Sequence, residues 1–123
     1  MKNYIFYFLF FIGLVFFSCK KNELGGKSTI KGAVKHHAKV IANATVFIKF
    51  NAKEFPGTDT TLYDAKVKAD ADGNYIIKCY KGDYYLFGLG SDYALPPPYK
   101  VTGGLSVHIR NKESIDIEIA VTE

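Results

Sequence analysis

From residue 28 onward the chain sets an apolar side chain at every second position, which dictates strands with one face to bury. Ile30, Gly32 and Val34 share one side against Lys31, Ala33 and Lys35; Val46, Ile48 and Phe50 oppose Phe47 and Lys49. Tyr75, Ile77 and Cys79 alternate with Ile76, Lys78 and Tyr80, and Tyr84 and Leu86 with Tyr85 and Phe87. Leu105, Val107 and Ile109 repeat the pattern, and Ile115, Ile117, Ile119 and Val121 give its cleanest run. Successive side chains on a strand point to opposite faces, whereas a helix needs a stripe of period 3.6, which is absent. With a weaker strand over 65–69, the pattern predicts an all-β chain of about seven strands. One inward face per strand makes this a two-sheet β-sandwich with sheets about 10 Å apart. Asp72-Gly73-Asn74, Lys81-Gly82-Asp83 and Asn111-Lys112-Glu113 fall between the runs, where hairpin turns are expected. Two segments, 51–64 with Phe55-Pro56-Gly57 and 91–104 with Pro96-Pro97-Pro98 and Gly103-Gly104, read as long loops.

The first eighteen of the 123 residues are different. They hold six of the ten Phe, and their only charge is Lys2. A basic start, an apolar run and a small residue at its end describe a secretory signal, residues 1–18. The uncharged run Tyr4–Ser18 spans roughly 22 Å as a helix, short of the roughly 30 Å hydrocarbon core of a bilayer.

Phe16-Phe17-Ser18-Cys19 resembles a bacterial lipobox, and a polar Lys20-Lys21-Asn22-Glu23 follows it. The resemblance implies cleavage before Cys19, lipid on its thiol and acylation of the new amine. Two or more acyl chains hold a protein stably at a membrane. Residues 19–27 are then a lipidated tether with a flexible Gly25-Gly26, and residues 28–123 a single domain. Eight extended residues reach at most about 29 Å, so the domain stays near the bilayer. With Cys19 lipidated, Cys79 is left without a disulfide partner and is expected to be a small buried apolar residue.

Removing Lys2 from the 16 basic residues leaves 15 against 12 acidic, a modest and mixed surplus that points away from nucleic acid. Lys20 after the cysteine, rather than an Asp, resembles sorting to the outer membrane, and the lack of an acidic run favours its periplasmic face.

Residues 28–90 resemble the carboxypeptidase regulatory-like domain, a prealbumin-like sandwich. The words are Ile30-Lys31-Gly32-Ala33-Val34, Ala44-Thr45-Val46-Phe47-Ile48, Ala71-Asp72-Gly73-Asn74-Tyr75-Ile76-Ile77 and Gly82-Asp83-Tyr84-Tyr85-Leu86. The resemblance implies a fold and little about activity. Hydroxyisourate hydrolases share the prealbumin-like fold and end in Tyr-Arg-Gly-Ser; this chain ends Ala120-Val121-Thr122-Glu123. Fold alone licenses no function.

No catalytic constellation stands out: no nucleophile elbow and no phosphate-cradling loop. The chain is read as no enzyme and without cofactor, an unfamiliar site in the long loops being the enzymatic alternative. His36 and His37 are expected to be solvated loop side chains, since neighbours on a strand face opposite ways; no metal site is expected. Asp70-Ala71-Asp72-Gly73-Asn74 lacks calcium-loop spacing, with Gly73 fourth and Lys81 twelfth.

If Tyr75 and Tyr84 face inward, Ile76, Tyr80, Tyr85 and Phe87 face outward on neighbouring strands, a candidate patch for an envelope protein partner. Cross-strand packing or cover by a long loop is the plain alternative. A glycan is the other expected partner, stacking on these aromatics or on Tyr93 and Tyr99 beside the prolines.

Overall fold

The computed structural model describes residues 20–123; the expected leader and Cys19 lie outside the described residues. The strands are β1 (Leu24–His36), β2 (Lys39–Val40), β3 (Thr45–Phe50), β4 (Ala65–Lys68), β5 (Asn74–Cys79), β6 (Gly82–Ser91), β7 (Lys100–Ile109), β8 (Ser114–Asp116) and β9 (Ile119–Ala120). One sheet runs β4-β3-β6-β7, all antiparallel. In the other, β1 pairs antiparallel with β5 and β2, and parallel with β8 and β9. The two sheets close over Ile30, Val34, Val46, Ile48, Tyr75, Ile77, Tyr84, Leu86, Val101, Ile109, Ile119 and Val121, all of them buried. The expected all-β two-sheet sandwich is the observed fold, and most of the inward residues are those that the period of two assigns; Val101 is the exception, buried within the stretch expected to be a loop.

Two counts differ from the sequence reading. The Ile115–Val121 run is one alternating segment divided into β8 and β9. At the break the Ile117 N–H donates to the Lys31 carbonyl (2.7 Å), and the buried Tyr75 hydroxyl donates to the Ile117 carbonyl (2.6 Å). That carbonyl occupies the place of a side chain on Gly32: a Cβ there would lie 1.9 Å from it. The expected loop 91–104 is also shorter, Asp92–Tyr99, because Gly103 and Gly104 are in β7. A Cβ on Gly103 would meet the Ala120 carbonyl at 2.0 Å, and one on Gly104 the Leu86 carbonyl at 2.4 Å. Glycine here marks close backbone approach, between the sheets at Gly103 and within one at Gly104, which in sequence looks the same as a loop.

The three expected hairpin turns are corners. β4 and β6 lie in one sheet and β5 in the other, and β7 and β8 are likewise on opposite sheets. The turn residues act as expected locally: Asp70 Oδ1 accepts from the Asp72 and Asn74 amides (2.9 and 3.0 Å), and Gly73 has φ 77°. A corner between sheets uses the same turn chemistry as a hairpin within one.

Residues 22–27, expected to be tether, pack on the sandwich. The Asn22 N–H donates to the Lys81 carbonyl and the Tyr80 N–H to the Glu23 carbonyl, both at 2.9 Å. Leu24 pairs with Cys79, and Gly25–Lys27 form a bulge in β1. Residues from Asn22 onward are therefore tied to the sandwich. Cys79 is fully buried with a free thiol, its pKa pushed up by burial.

Candidate functional site

The corners separate the four residues of the expected patch. Ile76 is 62% exposed on the outer face of β5, in the β1 sheet. Tyr80 is half-buried beside Gly25 and Gly26, with Lys20 Nζ 5.7 Å from its ring centre. Tyr85 and Phe87 lie on the outer face of the opposite sheet, and Phe87 is only 3% exposed. The loop 51–64 folds over them. Phe55 packs on both rings at 5.6–5.7 Å, and Tyr63 stacks on Phe87 at 5.6 Å. Asp64 fastens that loop by accepting from the Phe50 amide at 2.7 Å. Tyr63, desolvated and next to Tyr85, has its pKa pushed up to about 12. These residues do not share one surface, and Phe87 is not exposed: strand alternation fixes which face a residue takes, but not what covers that face.

The second aromatic pair lies differently. Tyr93 is 77% exposed and rests on Tyr99, ring centres 5.1 Å apart. It stands at the rim of a groove of about 630 Å³ at one end of the sandwich, between the β2–β3 connection, the end of β6 and the 92–99 loop. Val40 and Pro98 supply apolar surface there; Asn43, Ser91 and Lys100 supply polar groups.

The loop carrying Tyr93 is held by Asp92, which is 4% exposed. Its Oδ1 accepts from Lys39 Nζ (2.8 Å) and from the Ala94 amide (3.0 Å), and Oδ2 lies 2.8 Å from His36 Nδ1. The Asp92 N–H donates to the Tyr99 carbonyl (2.8 Å), closing the loop base. These donors hold the Asp92 carboxyl well below the usual carboxylate range, the Lys39 and His36 hydrogen bonds foremost. An ionised carboxylate only accepts, so His36 Nδ1 carries the proton between them. His36 Nε2 has Glu123 Oε2 at 2.9 Å but outside hydrogen-bonding geometry.

His36 thus departs from expectation: it is 6% exposed and structural rather than a solvated loop side chain. His37 is exposed in the β1–β2 turn, tilted against the His36 ring at 4.5 Å. His108 sits across the sandwich on Asp83, at 2.9 Å. No group of three or more His, Cys, Asp or Glu side chains placed to hold a metal ion occurs among the described residues. The Lys39–Asp92–His36 tie escaped the sequence reading; its one trace is an Asp opening a proline-rich loop, the position of an Asx turn.

The Asp92 pKa is depressed in the folded protein. Its contribution to stability is therefore complete above the ordinary value near 3.9 and is lost as pH falls through that value towards the folded one. The stability gap between wild type and Asp92→Asn, read from urea unfolding, is expected to be widest near neutrality and to close below about pH 4. A gap that is constant with pH would contradict this account of the tie.

No protein-family model matches the chain, and no curated protein matches its sequence. Among solved structures, the fold is similar to one described as "a putative carbohydrate binding protein" from Pseudomonas aeruginosa. The TM-score is 0.56 at 12% identity, over 81% of this chain and 91% of that one. It also matches a DUF3823 family protein from Parabacteroides merdae, with TM-score 0.44 and 10% identity over 78% of this chain and 47% of that one. The first likeness places the chain in the class of all-β, two-sheet sandwiches.

Proposed function

We propose that this is a lipid-anchored protein of the bacterial cell envelope, held through Cys19 at the periplasmic face of the outer membrane. Its carboxypeptidase regulatory-like sandwich is a non-catalytic module that binds a saccharide in the Tyr93 groove. The observation that carries the binding role is Tyr93 itself. It is an aromatic ring 77% exposed, backed by Tyr99 and facing a groove with amide, hydroxyl and ammonium groups within reach. Concave sites that combine apolar surface with a few convergent polar groups are the usual form of small-ligand sites. A pyranose offers both halves of the match, a C–H face for the ring and hydroxyls for Asn43, Ser91 and Lys100. The structural likeness to a protein described as "a putative carbohydrate binding protein" agrees with this choice of ligand. The rival surface, Tyr85 with Phe87, is already occupied by the protein's own loop.

The test is a glycan array probed with the purified protein, followed by titration of any hit. Tyr93→Ala is expected to weaken binding at least tenfold, about 1.4 kcal/mol, with unfolding unchanged. A blank array, or a hit indifferent to Tyr93→Ala, would remove the saccharide reading. The anchor is tested separately, by loss of palmitate label on Cys19→Ala.

A further inference from the structure

At the end of the sandwich opposite Tyr93, we infer that Lys21, Lys81 and Arg110 form a seat for the phosphate of an anionic lipid headgroup. They line a hollow of about 330 Å³ together with Asn22, Asp83 and His108. The one carboxylate in the lining, Asp83, is committed to His108 Nδ1 at 2.9 Å, so the excess charge of the hollow is positive. Arg110 and Lys81 come from two corner turns, β7–β8 and β5–β6, which the sandwich brings together; Lys21 comes from the N-terminal segment.

That segment decides which phosphate is near. Asn22 is clamped on the rim: its amide donates to the Lys81 carbonyl, and its Oδ1 accepts from the Asp83 amide, both at 2.9 Å. Gly82 makes room, since a Cβ there would lie 1.9 Å from Asn22 Oδ1. Between a lipidated Cys19 and the clamp lie only Lys20 and Lys21, three Cα–Cα steps or at most about 11 Å. This is close to one Debye length, about 8–10 Å in physiological salt. The basic end therefore cannot stand off from the bilayer, and clustered lysine and arginine at such a distance are drawn to anionic lipid. The inference rests on the lipid anchor proposed for Cys19.

The experiment reconstitutes the processed protein, from Cys19 to Glu123, into vesicles of phosphatidylcholine alone or with one-third phosphatidylglycerol, and follows amide hydrogen exchange. Amides of 81–83 and 108–111 are expected to slow roughly tenfold on the anionic vesicles only, and to return to the neutral-vesicle rate in high salt. Lys81→Glu/Arg110→Glu is expected to abolish the slowing; if it misfolds by circular dichroism, Lys81→Gln/Arg110→Gln replaces it, with a partial loss. Equal exchange on both vesicles overturns the proposal. So does the same slowing produced in detergent by inorganic phosphate alone, which would make this a site for free phosphate. Palmitate labelling on the same samples separates the two readings. Label without slowing sinks the headgroup seat and leaves the anchor; slowing without label upholds the seat and sinks the anchor.

Discussion

Gly32→Ala is expected to remove most of the stability of the domain, more than about 4 kcal/mol. The new Cβ would fall 1.9 Å from the Ile117 oxygen and 2.7 Å from its carbon, and neither side of that contact can yield cheaply. Ile117 is held by its own amide on Lys31 and by the Tyr75 hydroxyl on its carbonyl. To admit a methyl group, the 115–121 segment must leave β1. That movement breaks the parallel pairing of Thr29–Lys31 with Ser114–Asp116 and of Val34–Lys35 with Ile119–Ala120. It also withdraws Ile119 and Val121, both buried, from the core. Urea and thermal unfolding followed by far-ultraviolet circular dichroism measure it. For a domain of this size each kcal/mol corresponds to roughly 4–8 °C in Tm, so the variant is expected to be largely unfolded at 37 °C. A loss below about 1 kcal/mol would mean that the closing segment is not packed on Gly32 at all.

Tyr84→Ala is expected to cost about 3–5 kcal/mol, the range for removing a large buried aromatic side chain. The ring is fully buried and meets Phe50 edge-on at 6.0 Å. Its one hydroxyl proton is shared between the Tyr80 carbonyl (2.7 Å) and the more distant Glu23 carbonyl (3.1 Å), so one side chain touches both the β5–β6 corner and the N-terminal segment. Burial pushes the hydroxyl's pKa well up, which keeps it a neutral donor at any physiological pH. Tyr84→Phe isolates that part. It keeps the ring and takes the hydroxyl from the Tyr80 carbonyl, while the Glu23 carbonyl keeps the Tyr80 amide, at a cost of about 1–3 kcal/mol. Its hydrogen exchange should rise first over 22–27, before the core strands open. If Tyr84→Phe leaves exchange there untouched, the N-terminal segment is held by other contacts.

Most of the fold was legible because alternation is a local property. Which side chain faces inward follows from its place on its own strand, and Tyr75, Tyr84, Ile77 and Ile119 were assigned in this way. The candidate site was less so. Tyr93 and Tyr99 were legible as aromatics beside prolines, but the groove beneath them is built from residues 39–45 and 89–100, which meet only in the folded chain. Asp92 is 56 positions from His36 and 53 from Lys39, and no local pattern announces a contact of that span. The patch of Ile76, Tyr80, Tyr85 and Phe87 shows the opposite error. Alternation gives each residue its face, but the turn at 81–83 is a corner rather than a hairpin, so the faces of β5 and β6 belong to different sheets.

The sequence by itself determined that the chain is all β, where most of its strands lie and which face of each turns inward, because a strand's two faces are written in the order of its residues. Only the tertiary structure decided which strands are neighbours, which aromatics stay in water and which charges meet. Those depend on whether each turn stays in its sheet or crosses to the other, and the same Gly, Asn and Asp residues serve for both.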